Sequence, residues 1–133
     1  MHIDDVVFLE VVNAHDAHAR GLHGYGGASG VRDHGRIDAA VMAPQSGYCA
    51  TLAEMAATYV HGFAKGHGFV DGNKRTSANV LMMFLGANGF PILLENDWAD
   101  IIEKVADGTT TKQQLTAIIV TRLLGGADVS IEY

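Results

Sequence analysis

The sequence predicts an all-α fold, a compact bundle of about six helices around a buried central helix. Three observations predict it. Apolar residues recur at helical spacing wherever a period is clear, and capping residues stand in front of those stripes. Phe90–Leu94, the one run that reads as a short strand, has no partner strand. At 133 residues, 48% of them hydrophobic, the chain suits one domain. A domain of this size buries roughly 65–70% of its unfolded surface. Residues 3–124 are the expected core and 125–133 a short C-terminal tail.

Taken in order, Ile3, Val7, Val11 and Ala14 describe an amphipathic stripe near the N-terminus. Gly21–Gly30 carries glycine at five of its ten positions with no apolar period, so it reads as a loop. Arg32–Met42 is a shorter helix ended by Pro44, and Ala43–Ala50 is a second loop. From Thr51, the residues Leu52, Met55, Ala56, Tyr59, Val60 and Phe63 line one helix face, with Thr51 and Glu54 as its capping box. Asn79–Leu85 is apolar on nearly every side and takes the place of the central helix. Trp98, Ile101, Ile102 and Val105 follow Asp97 as N-cap. Leu115, Ile118, Ile119 and Leu123 follow a capping box of Thr111 and Gln114, and Gly125-Gly126 stops that helix.

Composition excludes several classes of function. The longest apolar run, Val80–Leu85, is far shorter than the roughly 20 residues of a membrane span. The N-terminus lacks the basic start of a secretory signal, and a lone Cys49 cannot make an internal disulfide. A cytoplasmic protein without membrane attachment is the expectation. The net charge of −6 opposes direct nucleic-acid binding, which depends on neutralising phosphates with Lys and Arg. Of nine basic residues, only Lys74 and Arg75 are adjacent.

That pair belongs to His67-Gly68-Phe69-Val70-Asp71-Gly72-Asn73-Lys74-Arg75, which lies between two helices and opens the second. A helix start is an anion site, because its first amides lack intrahelical partners and the dipole is positive there. Gly72 lets the backbone approach a ligand, and Lys74 and Arg75 add charge, the guanidinium with a bidentate grip. Asp71 supplies a hard oxygen for Mg²⁺, which takes one or two carboxylates beside phosphate oxygens. His67 carries an imidazole, the side chain that takes a proton near neutrality. Base, metal ligand and anion clamp together are the parts of phosphoryl transfer. Each residue also has a plainer reading. Asp71 suits a helix N-cap, Asn73 a turn, Phe69 a core anchor, and Lys74 and Arg75 a solvated surface. The spacing departs from a P-loop, whose second glycine directly precedes the lysine.

The stretch His67–Arg75 resembles the H-x-F-x-[DE]-[GA]-N-x-R core of the Fic/Doc family, and specifically its death-on-curing (Doc) toxin branch. His15-Asp16-Ala17, Gly26-Gly27, Gly30-Val31-Arg32-Asp33, Pro44-Gln45 and Thr76-Ser77-Ala78-Asn79 extend the resemblance over most of residues 3–124. It implies that His67 deprotonates a protein hydroxyl, Asp71 holds Mg²⁺, and Asn73 and Arg75 contact the phosphates of ATP, with Gly72 and Lys74 completing the cradle. AMP-transferring members have glycine where this chain has Lys74. Doc-branch members have lysine there and are associated with ATP-dependent phosphorylation of elongation factor Tu, which arrests translation. Gly72 departs from the alanine common in Doc toxins and matches the AMP-transferring motif. The resemblance further implies a small antitoxin that docks a helix on the fold.

Three functions follow as expectations: a phosphate-transferring toxin (or an AMP transferase on the same groove), a catalytically silent binding module, and an HD-type metal phosphohydrolase built on His15-Asp16 and His18. The last needs further His and Asp ligands that the sequence does not assemble. His61 reads as packing or surface, and Cys49 has no charged neighbour in sequence to activate it.

Overall fold

A computed structural model describes residues 1–133 as six helices without strands: α1 (Val11–Tyr25), α2 (His34–Met42), α3 (Leu52–Gly66), α4 (Asn73–Ala87), α5 (Trp98–Ala106) and α6 (Lys112–Leu123). None is long and apolar enough to cross a membrane. Phe90–Leu94 is irregular, since no neighbouring segment offers it a ladder.

The central helix is α3. Ten of its 15 residues are buried, and Ala53, Ala56, Ala57 and Ala64 let neighbours approach on several sides. Helices α2, α4, α5 and α6 all pack against it, and α1 lies on α4. Its start is fixed by Thr51, whose hydroxyl accepts the Glu54 amide at 3.2 Å. The expected box is shifted, because the Glu54 carboxylate reaches past Thr51 to the Ala50 amide at 2.8 Å. The central position therefore does not fall to Asn79–Leu85. Helix α4 buries Thr76, Ser77, Val80, Leu81, Phe84 and Leu85, while its half-exposed Ala78 and Met82 line a cleft. Met82, which helps the segment look buried all round, serves a wall, whereas Val80, Leu81, Phe84 and Leu85 belong to the core.

Two other expectations change. The stripe from Ile3 to Ala14 is not one helix: Ile3–Asp5 is a short 3₁₀ turn and α1 begins only at Val11. Asn13 sets that start: its carboxamide oxygen accepts the Glu10 amide at 2.8 Å, and its own amide donates to the Glu10 carbonyl at 3.0 Å. The extended residues between use side chains as partners: the Val7 amide donates to Asn88 Oδ1 at 2.8 Å and the Leu9 amide to Tyr59 Oη at 3.0 Å. Helix α1 then runs through Gly21 and Gly24 to Tyr25, so the glycine loop begins at Gly26.

The last residues form a strap. The Leu52 amide donates to the Val129 carbonyl and the Ile131 amide to the Ala50 carbonyl, while Ile3 and Glu132 bond the first residues to the last. Ile131 joins the core and the Tyr133 hydroxyl donates to the Cys49 carbonyl at 2.6 Å. Residues expected as a tail thus close the fold.

Candidate active site

The site grows out of the turn between α3 and α4. His67 ends α3 in the left-handed region, φ 50° and ψ 41°, and it alone among the non-glycine residues has a positive φ. That turn reverses the chain. Gly68 follows against α2, where a Cβ would lie 2.6 Å from Ile37 Cγ1, and its carbonyl accepts the amides of Arg32 and Asp33. Phe69 is buried, stacked on the His18 ring at 3.9 Å between centroids, with His15 edge-on at 5.5 Å. It is the anchor that the sequence suggests. The Val70 amide donates to the Gly30 carbonyl, which ties the turn to the glycine loop.

Asn73 closes the turn. Its Oδ1 accepts the Phe69 amide and its Nδ2 donates to the Phe69 carbonyl, both at 3.0 Å. The N-cap of α4 is Gly72, at φ 76°, and not Asp71. A glycine suits this position because only it adopts such a φ without strain. Asp71 instead accepts the Gly72 amide on Oδ1 at 2.8 Å and the Ala28 amide on Oδ2 at 3.1 Å. These amide donors, Ala28 first and Gly72 next, hold its carboxyl below the usual carboxylate range, assisted by His18. The His18 ring Nε2 hydrogen-bonds the Asp71 carbonyl at 2.8 Å. Gly27 leaves room for this carboxylate, since a Cβ there would lie 2.8 Å from Asp71 Oδ2.

His67, Asp71, Gly72, Asn73, Lys74 and Arg75 all line one open cleft of about 1240 Å³. Its other walls come from Tyr25, from Ala78 and Met82 of α4, from residues 93–96, and from α5. The two cations have different partners. Lys74 Nζ pairs with the Glu103 carboxylate of α5, whereas the Arg75 guanidinium lies 3.4 Å over the Tyr25 ring. His67 is exposed at the cleft and Asp71 is also exposed there.

The HD-type constellation does not form. Asp16 pairs with Arg20 at 3.0 Å, His18 is bonded to the Asp71 carbonyl, and His15 packs on Phe69. His61 lies outside the cleft, where burial foremost, then Lys65 and Lys112, disfavour its protonated form. Cys49 is buried and burial pushes its thiol up, the reverse of an activated nucleophile. Tyr25 and Glu103 escape sequence reasoning. Glu103 meets Lys74 across 29 positions of chain, and no local pattern announces such a pair.

The chain is 33% identical over 123 residues to the Protein kinase doc of Escherichia phage P1, covering 90% of this chain and 94% of that protein. It is 32% identical over 123 residues to Toxin Doc of Mycolicibacterium smegmatis, covering 89% and 94% respectively. The model of the Fic/DOC family matches residues 8–85, from just before α1 to the end of the α4 core. With the motif turn, the glycine loop and the helices that hold them all inside that span, the chain belongs to the Fic/DOC family.

Proposed function

We propose that this chain is the toxin of a toxin–antitoxin pair and a protein phosphotransferase. In this reading it moves the γ-phosphate of Mg·ATP to a threonine or serine hydroxyl of a translation factor, elongation factor Tu, in the cytoplasm. The observation that carries the proposal is the convergence of His67, Asp71, Gly72, Asn73, Lys74 and Arg75 on one cleft, with lysine in the penultimate motif position. A relative sharing 33% of the aligned residues and bearing a kinase name supports it.

His67 is the general base. Its imidazole is exposed at the cleft, where a protein hydroxyl can reach it; it removes the proton as the oxygen attacks the γ-phosphorus, whose bond to the bridging oxygen breaks to release ADP. Such a base contributes about 10²–10⁴-fold. Arg75 and the first amides of α4 face the negative charge that spreads over the phosphoryl oxygens. Asn73 holds the turn through Phe69, which sets the direction of those amides. Asp71 fits Mg²⁺: its carboxylate stays ionised, and each oxygen uses one amide donor and keeps a further lone pair. A single carboxylate suits a cation whose other ligands are phosphate oxygens and water. When bound, Mg²⁺ supplies neutralisation of phosphate charge.

The test uses the purified chain, elongation factor Tu, Mg²⁺ and ATP labelled at either the α or the γ position. Label from the γ position alone is expected on the factor, falling about 10²-fold or more in His67→Ala. Label from the α position overturns phosphate transfer in favour of AMP transfer. Growth arrest by His67→Ala equal to that of the unaltered chain overturns catalysis in favour of a silent binding module. The antitoxin proposed as partner is expected to relieve the arrest when co-expressed.

A further inference from the structure

We infer that Gly21 and Tyr25, one turn apart on α1, form a cradle that positions Arg75 for the phosphate chain of a nucleotide; the inference rests on the phosphotransfer reading above. Residues at i and i+4 share a helix face, so Gly21 and Tyr25 meet α4 together. Glycine inside a helix is destabilising, and here packing gives it a reason. A Cβ at Gly21 would lie 2.7 Å from Arg75 Cγ, so the missing side chain is the slot in which the arginine stem rests. Asn79 Nδ2 donates to the Ala17 carbonyl at 3.0 Å and fastens α4 beside the slot.

At the far end of the same side chain, the guanidinium carbon lies 3.4 Å from the centroid of the Tyr25 ring. Stacking uses the flat face of a guanidinium and leaves its in-plane N–H groups free. Those edges are what a phosphate grips in a bidentate pair. A carboxylate partner would occupy the same donors and cancel the charge, as Glu103 does for Lys74. Tyr25 is 72% exposed, so it adds little to the core of the fold. Its contribution is to the arginine. Tyr25 is therefore a positioning residue: it holds Arg75 over the cleft with its hydrogen-bond donors unspent.

Calorimetric titration of the full chain with Mg·ATP tests this. Tyr25→Ala is expected to weaken binding about two- to fivefold, the worth of an exposed cation–π contact, while Tyr25→Phe retains it. The melting temperature should be unchanged in both, which separates positioning from folding. In an Arg75→Ala background Tyr25→Ala should weaken binding no further, because the ring acts through the arginine. Gly21→Ala should reproduce the loss by displacing the stem. Two results overturn the cradle alone: binding by Tyr25→Ala equal to that of the unaltered chain, or a loss that persists undiminished in the Arg75→Ala background. An unaltered chain that binds no Mg·ATP overturns the phosphotransfer reading, and the cradle's role with it.

Discussion

His67 answers two demands that ask for different residues. As the proposed base it must be an imidazole, yet its backbone at φ 50° is where a helix end favours glycine. An L-residue in that conformation costs roughly 1–2 kcal/mol. His67→Gly and His67→Ala should both be inactive, but the glycine variant should be the more stable by about 1 kcal/mol, as read from urea denaturation. A glycine variant no more stable than the alanine variant would remove the claim of strain. At this scale the sequence is informative about which chemical groups are present and poor about how they are spent. The amide of Asn73 is committed to Phe69 and the carboxylate of Asp71 to Ala28 and Gly72, and neither pairing is visible until the chain is folded. Tyr25 falls in the middle of the expected loop Gly21–Gly30, and only its approach to Arg75 gives it meaning.

Among the elements, the helix starts are legible where capping is local. The box of Thr111 and Gln114 forms in both directions, with both bonds between 2.9 and 3.1 Å. Burial is less legible, because it depends on neighbours far away in sequence. Met82 looks like core from its type but lines the cleft, whereas Tyr59 is fully buried in α3, as its place in the apolar stripe predicts. Its hydroxyl accepts the Leu9 amide and so pins the extended N-terminal segment to the central helix. Tyr59→Phe leaves that amide unpaired and should cost about 1–3 kcal/mol near neutral pH. Burial pushes the Tyr59 hydroxyl up to about 12, above the value near 10 of an exposed tyrosine. The folded state therefore keeps its proton longer than the unfolded chain. The stability that follows is complete below about pH 10 and is lost toward pH 12, by up to about 1.4 kcal/mol per pH unit. The phenylalanine variant lacks this loss, so its deficit should shrink when denaturation midpoints are compared near pH 8 and about pH 11. A deficit that stays constant would show that folding does not raise the Tyr59 hydroxyl above its value in the unfolded chain.

For the whole molecule, fold class and site motif are legible because both are short-range patterns: helical periods of a few residues and nine consecutive positions at one turn. The strap of residues 128–133 is not, since it has no period and its partners are the far end of the chain and the start of α3. Helix α3, at 15 residues about 22 Å long, separates the strap at Thr51 from the cleft at His67. Removing residues 128–133 should therefore lower the denaturation midpoint while leaving Mg·ATP affinity unchanged in the folded protein. A truncated chain that melts like the full one would show the strap to be dispensable.

The same strap sets an order of events during synthesis. The amino group of Met1 donates to the Ser130 carbonyl at 2.9 Å, joining positions 129 apart in sequence. The cleft residues emerge long before Ser130, and α1, α3 and α4 can meet while the strap is still unmade. Until it arrives, the start of α3 lacks the partners that Val129 and Ile131 provide. The start of α3 thus gains its closing bonds only when residues that follow the cleft in sequence are in place.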